Sequence, residues 1–353
     1  MKTEKISKWQ LLGLLLLCRI FTLMTHVPFI KGETLPTQLL ASVVSTAIQA
    51  VLIIPLVLFG RDCEGSAVTS KISEKSKPAG AIASLLYLIF FIASAADGVM
   101  RFIRFLNERF IRGGSIFMAA LLIAVCVYCA YCGVEGLARS SIIAIILFFV
   151  MLILMAWTSR KNFDPINFYF NGTGSGFWQT VIDDLARNGE ITAAAFLIKN
   201  TNKGIKCGLY SLLAAKLVLT AAVNALIFGV LGDFALMTDY PFMETGSYTD
   251  AALFRQNDSL YLILWTISAV ISISLFIRIC AGLMAELVPN MRLCGSISGA
   301  IIFLISIIFM YSEINFAPLS RYIYGFAAAF LIFAIPLVAL ISAKGRKKDE
   351  KNT

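Results

Sequence analysis

The sequence predicts an all-α polytopic membrane protein of about ten transmembrane helices, and three observations predict it. First, 59% of the 353 residues are hydrophobic and the mean hydropathy is +0.82, leaving too little polar surface for a water-soluble domain. Second, apolar stretches of spanning length recur along the whole chain. Third, the basic residues collect in the short connectors and tails between those stretches. The net charge of +9 is therefore a topology signal rather than a nucleic-acid footprint.

The spans fall at 9–30, 37–60, 79–105, 115–134, 140–158, 171–198, 204–231, 257–285, 293–312 and 319–343. They form a single transmembrane domain over 1–353, with a first half at 1–160 and a second at 161–343. The charged start (Lys2, Glu4, Lys5, Lys8) lacks a small-residue cleavage site, so 9–30 is the first span rather than a cleaved signal. Arg19 interrupts its apolar run, and Thr22 to Pro28 weakens its far half, permitting a local unwinding. The segment 61–78 is a polar, mixed-charge connector. The third span carries Asp97 followed by Arg101. Cys126, Cys129 and Cys132 make one small-residue stripe on the fourth span. With no fourth ligand nearby, the stripe reads as helix packing, not as a metal site. None of the eight cysteines suggests a disulfide framework, since nearly all lie in or beside apolar spans.

The sixth span is the anomaly. Phe170-Asn-Gly172-Thr173-Gly174-Ser-Gly176-Phe177 sits where a helix belongs, and Asp183, Asp184, Arg187 and Glu190 follow it. A glycine-broken stretch at membrane depth needs protein or a water-filled cavity around it, and it points to a binding site. The helix resuming near Phe177 would aim free N–H groups at the break and favour a carboxylate. The alternative is a surface loop leading into a short interfacial helix. Lys216 lies in the seventh span, where snorkelling to the interface is the ordinary expectation. A long acidic loop, Gly232–Asp258, precedes the eighth span, which carries Ser272, Ser274 and Arg278. The basic tail 344–353 completes the chain.

With both termini in the cytoplasm, most connector lysines and arginines lie inside, and Arg101–Arg112 is the local exception. The two irregular spans, one and six, are five apart. Spans three and eight each place a polar patch before an arginine. This pattern suggests a five-plus-five inverted repeat with broken helices one and six. Candidate ligand contacts are Thr22, Thr25, Asp97, Gly172, Thr173, Gly174, Ser272 and Ser274. Arg19 and Asp97 are potential partners for each other or for a zwitterionic ligand. Asp183 to Glu190 reads as an inner vestibule or a set of local ion pairs. A single histidine, His26, and the lack of a nucleophile elbow argue against an enzyme, and no cofactor or metal is expected.

Four segments carry a family resemblance: Ile6-Ser7-x-x-Gln10-Leu11, Tyr131 to Arg139, Tyr240-Pro241-Phe242, and Arg255-x-x-Asp258 to Trp265 running into Ser272-x-Ser274-Leu-Phe276. In this order they resemble the spore-germination permease family, the membrane B-subunits of germinant receptors within the amino-acid/polyamine transporter superfamily. The resemblance covers nearly the whole chain. It implies a LeuT-type fold and an amino-acid-like germinant at broken helices one and six. It also implies two companion subunits, a larger membrane protein and a lipoprotein, in a bacterial inner membrane of the cell or spore. The sequence departs from the family in lacking a proline ahead of the break in span six. It also has no lysine in mid-span five, which some proton-coupled relatives carry. Three functions follow as expectations: a germinant-receptor subunit, a secondary amino-acid transporter using the same site, or a structural subunit with a vestigial pocket.

Overall fold

A computed structural model describes residues 5–25, 34–63, 65–109, 115–169, 174, 176–201, 205–247, 257–286, 288, 290–311 and 317–352. Its helices are α1 (Lys8–Thr25), α2 (Leu35–Leu52), α3 (Ile54–Asp62), α4 (Val68–Lys75), α5 (Lys77–Arg109), α6 (Ser115–Tyr131) and α7 (Gly133–Thr158) in the first half. The second half holds α8 (Phe177–Ala186), α9 (Gly189–Leu197), α10 (Ile205–Leu231), α11 (Pro241–Ser247), α12 (Asn257–Met284), α13 (Met291–Tyr311) and α14 (Ala317–Asn352). Among the described residues, eight helical stretches are long and apolar enough to cross a membrane. Ile116–Tyr131 is a shorter apolar helix at the fourth expected span. The sixth expected span is the pair α8 and α9.

Local chemistry sets the boundaries. Ser7 and Gln10 form a capping box that starts α1: the Gln10 amide donates to Ser7 Oγ at 3.2 Å, and the Ser7 amide donates to Gln10 Oε1 at 2.9 Å. Ile6 then pairs with the end of the sixth span through its amide and the Asn200 carbonyl, 2.8 Å apart. Pro36 sits in the first turn of α2, where its missing N–H costs nothing. Pro55 explains why the second span bends at Ile53 into α3 instead of running straight. Gly133, at φ 86°, takes the left-handed conformation that ends α6 and lets α7 begin at once. The fifth span consequently starts seven residues before the expected residue 140.

Within the described residues, the two irregular spans differ from expectation in detail. The first span is one uninterrupted helix from Lys8 to Thr25. Thr22 and Thr25 donate back to the Cys18 and Phe21 carbonyls at 3.2 and 2.6 Å, so their hydroxyls follow the helix rather than unwind it. The remainder of that predicted unwinding, His26–Pro28, lies outside the described residues. In the sixth span a helix does begin at Phe177, as expected, but it stops after ten residues. Among the described residues, the discontinuity inside the span is at Arg187 and Asn188, between α8 and α9, while 170–173 and 175 of the expected break lie outside the described residues.

The core gathers around α1 and α12. Helix α1 packs against α7, α9, α10 and α12, and α12 packs also against α5, α6, α7 and α13. Helix α2 lies against α8 and α10, and α14 against α3, α4, α8 and α9. The outward side chains of α7 and α13, among them Ile143, Ile146, Ile153, Leu304 and Ile308, are apolar and exposed, as lipid-facing surfaces require. Cys126 is buried and directs its thiol at the Val270 carbonyl of α12, the packing role expected of it.

Candidate functional site

The two half-helices meet end to end in the protein interior. Helix α8 presents its C-terminal carbonyls to the break and α9 presents its N-terminal amides, so the break has a negative and a positive lip. Asn188 ties the lips together. Its side-chain amide donates to the Leu185 carbonyl at 3.0 Å, and its own carbonyl accepts from the amides of Ile191 and Thr192 at 3.1 and 3.2 Å.

Four charged side chains converge here, each 2% exposed: Arg19 of α1, Asp184 of α8, Glu190 of α9 and Lys216 of α10. Asp184 is the hub. It forms an ion pair with Arg19 and another with Lys216 at 3.3 Å, and it accepts from Ser45 at 2.7 Å and Gln49 at 3.1 Å. Lys216 donates further to Gln49 Oε1 at 2.9 Å and Asn188 Oδ1 at 2.6 Å. Arg19 also reaches Thr220 at 3.5 Å. Two cations thus share one fully engaged carboxylate. Glu190, in the first turn of α9, lies within electrostatic reach of Lys216 and Arg19, so the cluster formally holds two cationic and two acidic side chains. The placement suits the helix ends, with the ammonium near the C-terminus of α8 and the carboxylate at the N-terminus of α9. Charges buried this deeply persist only when paired and hydrogen-bonded.

Two charged-group atoms, Arg19 Nε and Glu190 Oε1, lack a hydrogen-bond partner, and the hydroxyl of Ser272 has only the Cys18 thiol. Ser272, on α12, lies beside Cys18 of α1, which in turn is within electrostatic reach of Glu190. Next to Gln49 and Asn188, a crevice of about 10 Å³, room for about one water, is lined also by Leu185, Ile191, Ala329 and Ile332.

Aromatic layers cover the region on both sides. Towards the far end of α1, Trp265 stacks flat on Phe102 with centroids 4.7 Å apart and touches Phe105 at 4.4 Å. The Trp265 indole N–H donates to Thr25 Oγ1 at 2.8 Å, and Tyr261 donates to the Met24 carbonyl at 2.7 Å. Towards the start of α1, Phe276 packs against Phe91 at 5.6 Å, and Phe196 meets Tyr87 edge-on at 4.7 Å. Trp265 and Phe276 are eleven residues apart on one helix, about 16 Å.

The structure distributes the expected ligand contacts unevenly. It brings Thr25 to the α12 aromatic layer and Ser272 to Cys18 beside the charge cluster. Thr22 is half-buried and bonded to its own helix. Ser274 donates to the Val270 carbonyl at 2.5 Å and faces Cys126 and Cys129 of α6, two positions round from Ser272. Asp97 pairs with Arg101 at 2.8 Å and is about one-third exposed, so the potential Arg19–Asp97 pair is replaced by Arg19–Asp184. Gly174 is exposed, two residues ahead of Gly176 and a whole half-helix away from the break. Gly172 and Thr173 lie outside the described residues. Lys216 does not snorkel. It is held in the interior by three partners. Asp184 and Glu190 belong to the core rather than to a vestibule, while Arg187 pairs with Asp183 at 3.4 Å as a local bridge. Ser45, Gln49 and Asn188 were not singled out from the sequence. The signal was there: Gln38, Ser42, Ser45 and Gln49 recur at helical spacing on α2, and all are buried.

No family model matches the chain, and no curated protein matches it. Among solved structures, it is similar to MhsT in complex with L-phenylalanine. The likeness has a TM-score of 0.63 and 16% identity, and it covers 94% of this chain and 97% of that one. A likeness over nearly the full length of both chains establishes the fold, an all-α polytopic membrane protein of the LeuT type.

Proposed function

We propose that this chain binds an amino-acid-like solute at the break between α8 and α9, and that it serves as the membrane subunit of a spore germinant receptor. One observation carries the binding site. A cluster of four buried ionisable side chains, two cationic and two acidic, surrounds a helix discontinuity, in a fold shared by MhsT, a structure solved in complex with L-phenylalanine. The solute touches Arg19, Glu190 and Ser272, with Thr25 and Trp265 closing one side. The receptor role rests on the four sequence segments that resemble the spore-germination permeases. Its partners are then a larger membrane subunit and a lipoprotein, in a bacterial inner membrane with both termini cytoplasmic. Binding acts by differential affinity for two helix arrangements.

A second reading, a secondary amino-acid transporter, is favoured by the fold likeness itself. The test is thermal unfolding of the purified chain with amino acids, sugars and nucleosides. A solute at about 100 times its dissociation constant adds about 2.7 kcal/mol. Stabilisation by amino acids alone supports the site, and stabilisation by none of them sinks it. Uptake of labelled amino acid into proteoliposomes by this chain alone would replace the receptor reading with the transporter.

A further inference from the structure

The charge cluster is complete except at particular atoms. Asp184 is saturated by Arg19, Lys216, Ser45 and Gln49, and Lys216 by Asp184, Gln49 and Asn188. Glu190 Oε1 is buried and accepts nothing, Arg19 Nε donates to nothing, and the buried Ser272 hydroxyl has only the weak Cys18 thiol beside it. Glu190 and Arg19 nonetheless form no ion pair with each other, although they lie within electrostatic reach. Leaving such groups unmet in the interior is costly, more so for charged groups than for neutral ones. The unmet demands are of opposite sense: a carboxyl oxygen on α9, with the Ser272 hydroxyl of α12 nearby, and a guanidinium N–H on α1.

We infer that Glu190, with the Ser272 hydroxyl, is the subsite that receives the protonated amine of the solute, and that Arg19 Nε takes its carboxylate. The inference rests on the proposed solute site and adds the residues that set its selectivity. Amine recognition falls to a side-chain carboxylate because the cations Arg19 and Lys216 are already matched to Asp184, and the carboxylate oxygen still without a donor is Glu190 Oε1. An ammonium supplies three donors, enough for Glu190 Oε1 and Ser272 Oγ together. A sugar or nucleoside brings no cation and leaves Glu190 unmet. A carboxylic acid without the amine adds an anion beside Glu190 and is repelled. The ring of Phe276 limits the space: a Cβ added at Gly189 would already lie 3.2 Å from its Cζ.

The experiment uses the full chain in detergent and the twenty standard L-amino acids, each compared with its matching carboxylic acid lacking the amine. The readout is affinity from thermal-shift titration. Wild type should respond to one or more amino acids and to none of the deaminated acids. Glu190→Gln should weaken the responding amino acids by about tenfold or more, the loss of one charge-assisted hydrogen bond. Glu190→Asp, which keeps the charge but withdraws it by one methylene, should fall between. Ser272→Ala removes a hydroxyl whose neighbour is the Cys18 thiol rather than a charged group, so it keeps the test decisive if the Glu190 variants do not fold, and it should weaken the same amino acids severalfold. Unchanged affinity in Glu190→Gln, or in Ser272→Ala where Glu190→Gln cannot be measured, overturns the subsite and leaves the solute site standing. A deaminated acid that binds as well as its amino acid does the same. If no amino acid shifts wild type, the solute site fails and the subsite fails with it.

Discussion

Asp184→Asn tests whether the buried cluster is held together as the geometry indicates. The substitution keeps the shape of the side chain and removes its charge. Arg19 and Lys216, each 2% exposed, then face Glu190 alone, and Ser45 and Gln49 lose the carboxylate they donate to. Removing one partner of a buried ion pair costs about 3–5 kcal/mol, because the other charge is left uncompensated. Lys216→Met removes one of the two cations in a similar volume. It leaves the Asp184–Arg19 pair intact and strips a donor from Gln49 and Asn188, a loss of about 1–3 kcal/mol. In the double variant Arg19 and Glu190 remain, one charge of each sign. Its destabilisation should therefore fall short of the sum of the single effects by about 1–3 kcal/mol. The assay is unfolding of the detergent-solubilised chain by SDS, followed by tryptophan fluorescence, on wild type, both single variants and the double. If Asp184→Asn lies within about 1 kcal/mol of wild type, below the range for a buried pair, the cluster does not carry the energy assigned to it. Strict additivity would show that Asp184 and Lys216 are not coupled.

Other expectations follow from separate contacts. Gly80→Ala should destabilise by about 1–3 kcal/mol in the same assay, because its Cβ would lie 2.6–2.9 Å from Ser73 backbone and Cβ atoms, and α4 must lift off α5. Gly208→Ala, with nothing within 4 Å, should be neutral or stabilising. Tyr240, outside the spans, is buried and donates to Glu108 at 2.9 Å; burial first, and then Glu108, raises its pKa above the ordinary tyrosine value. A raised folded pKa means stability that is present in full below about pH 10 and lost as pH rises beyond it. Wild type should thus lose stability above pH 10 more steeply than Tyr240→Phe, and parallel curves would refute the assignment. Asn188→Ala should destabilise, for reasons given below.

The spans were readable because hydropathy is a property of contiguous sequence, and the lipid requirement is strict. The capping box at Ser7 and Gln10 and the bend near Pro55 were equally local. That span six is interrupted was legible from its glycines and polar residues. Asn188-Gly189 carries a break signal as Gly172 to Gly176 does, and only the tertiary structure shows that Asn188 lies among the buried charges. Arg19, Lys216 and Asp184 each stood out as ionisable groups inside spans. Their pairing did not, because Arg19 and Asp184 are 165 residues apart and no periodicity links them. Arg19 was therefore matched with Asp97, an acid that in fact pairs one turn along its own helix with Arg101.

The position of Asn188 decides what the break is for. Were it only a flexible joint, replacing Asn188 by alanine, the best helix former, would favour continuation of α8 into α9 and stabilise the protein by a few tenths of a kcal/mol, up to about 0.7. The contacts argue for the opposite sign. The Asn188 amide satisfies the Leu185 carbonyl at the end of α8, and its oxygen is the shortest contact of the Lys216 ammonium at 2.6 Å. Alanine leaves that carbonyl and one ammonium donor unmet in the interior, a cost of about 1–3 kcal/mol that exceeds the propensity gain. The break and the charges are then one construction. The negative lip of α8 holds Lys216, the first turn of α9 holds Glu190, and Asn188 keeps the two lips apart. A stabilised Asn188→Ala variant would separate them, leaving the charges as incidental neighbours of a hinge. A destabilised one fixes the discontinuity as the feature that makes four buried charges tolerable at the centre of the bundle.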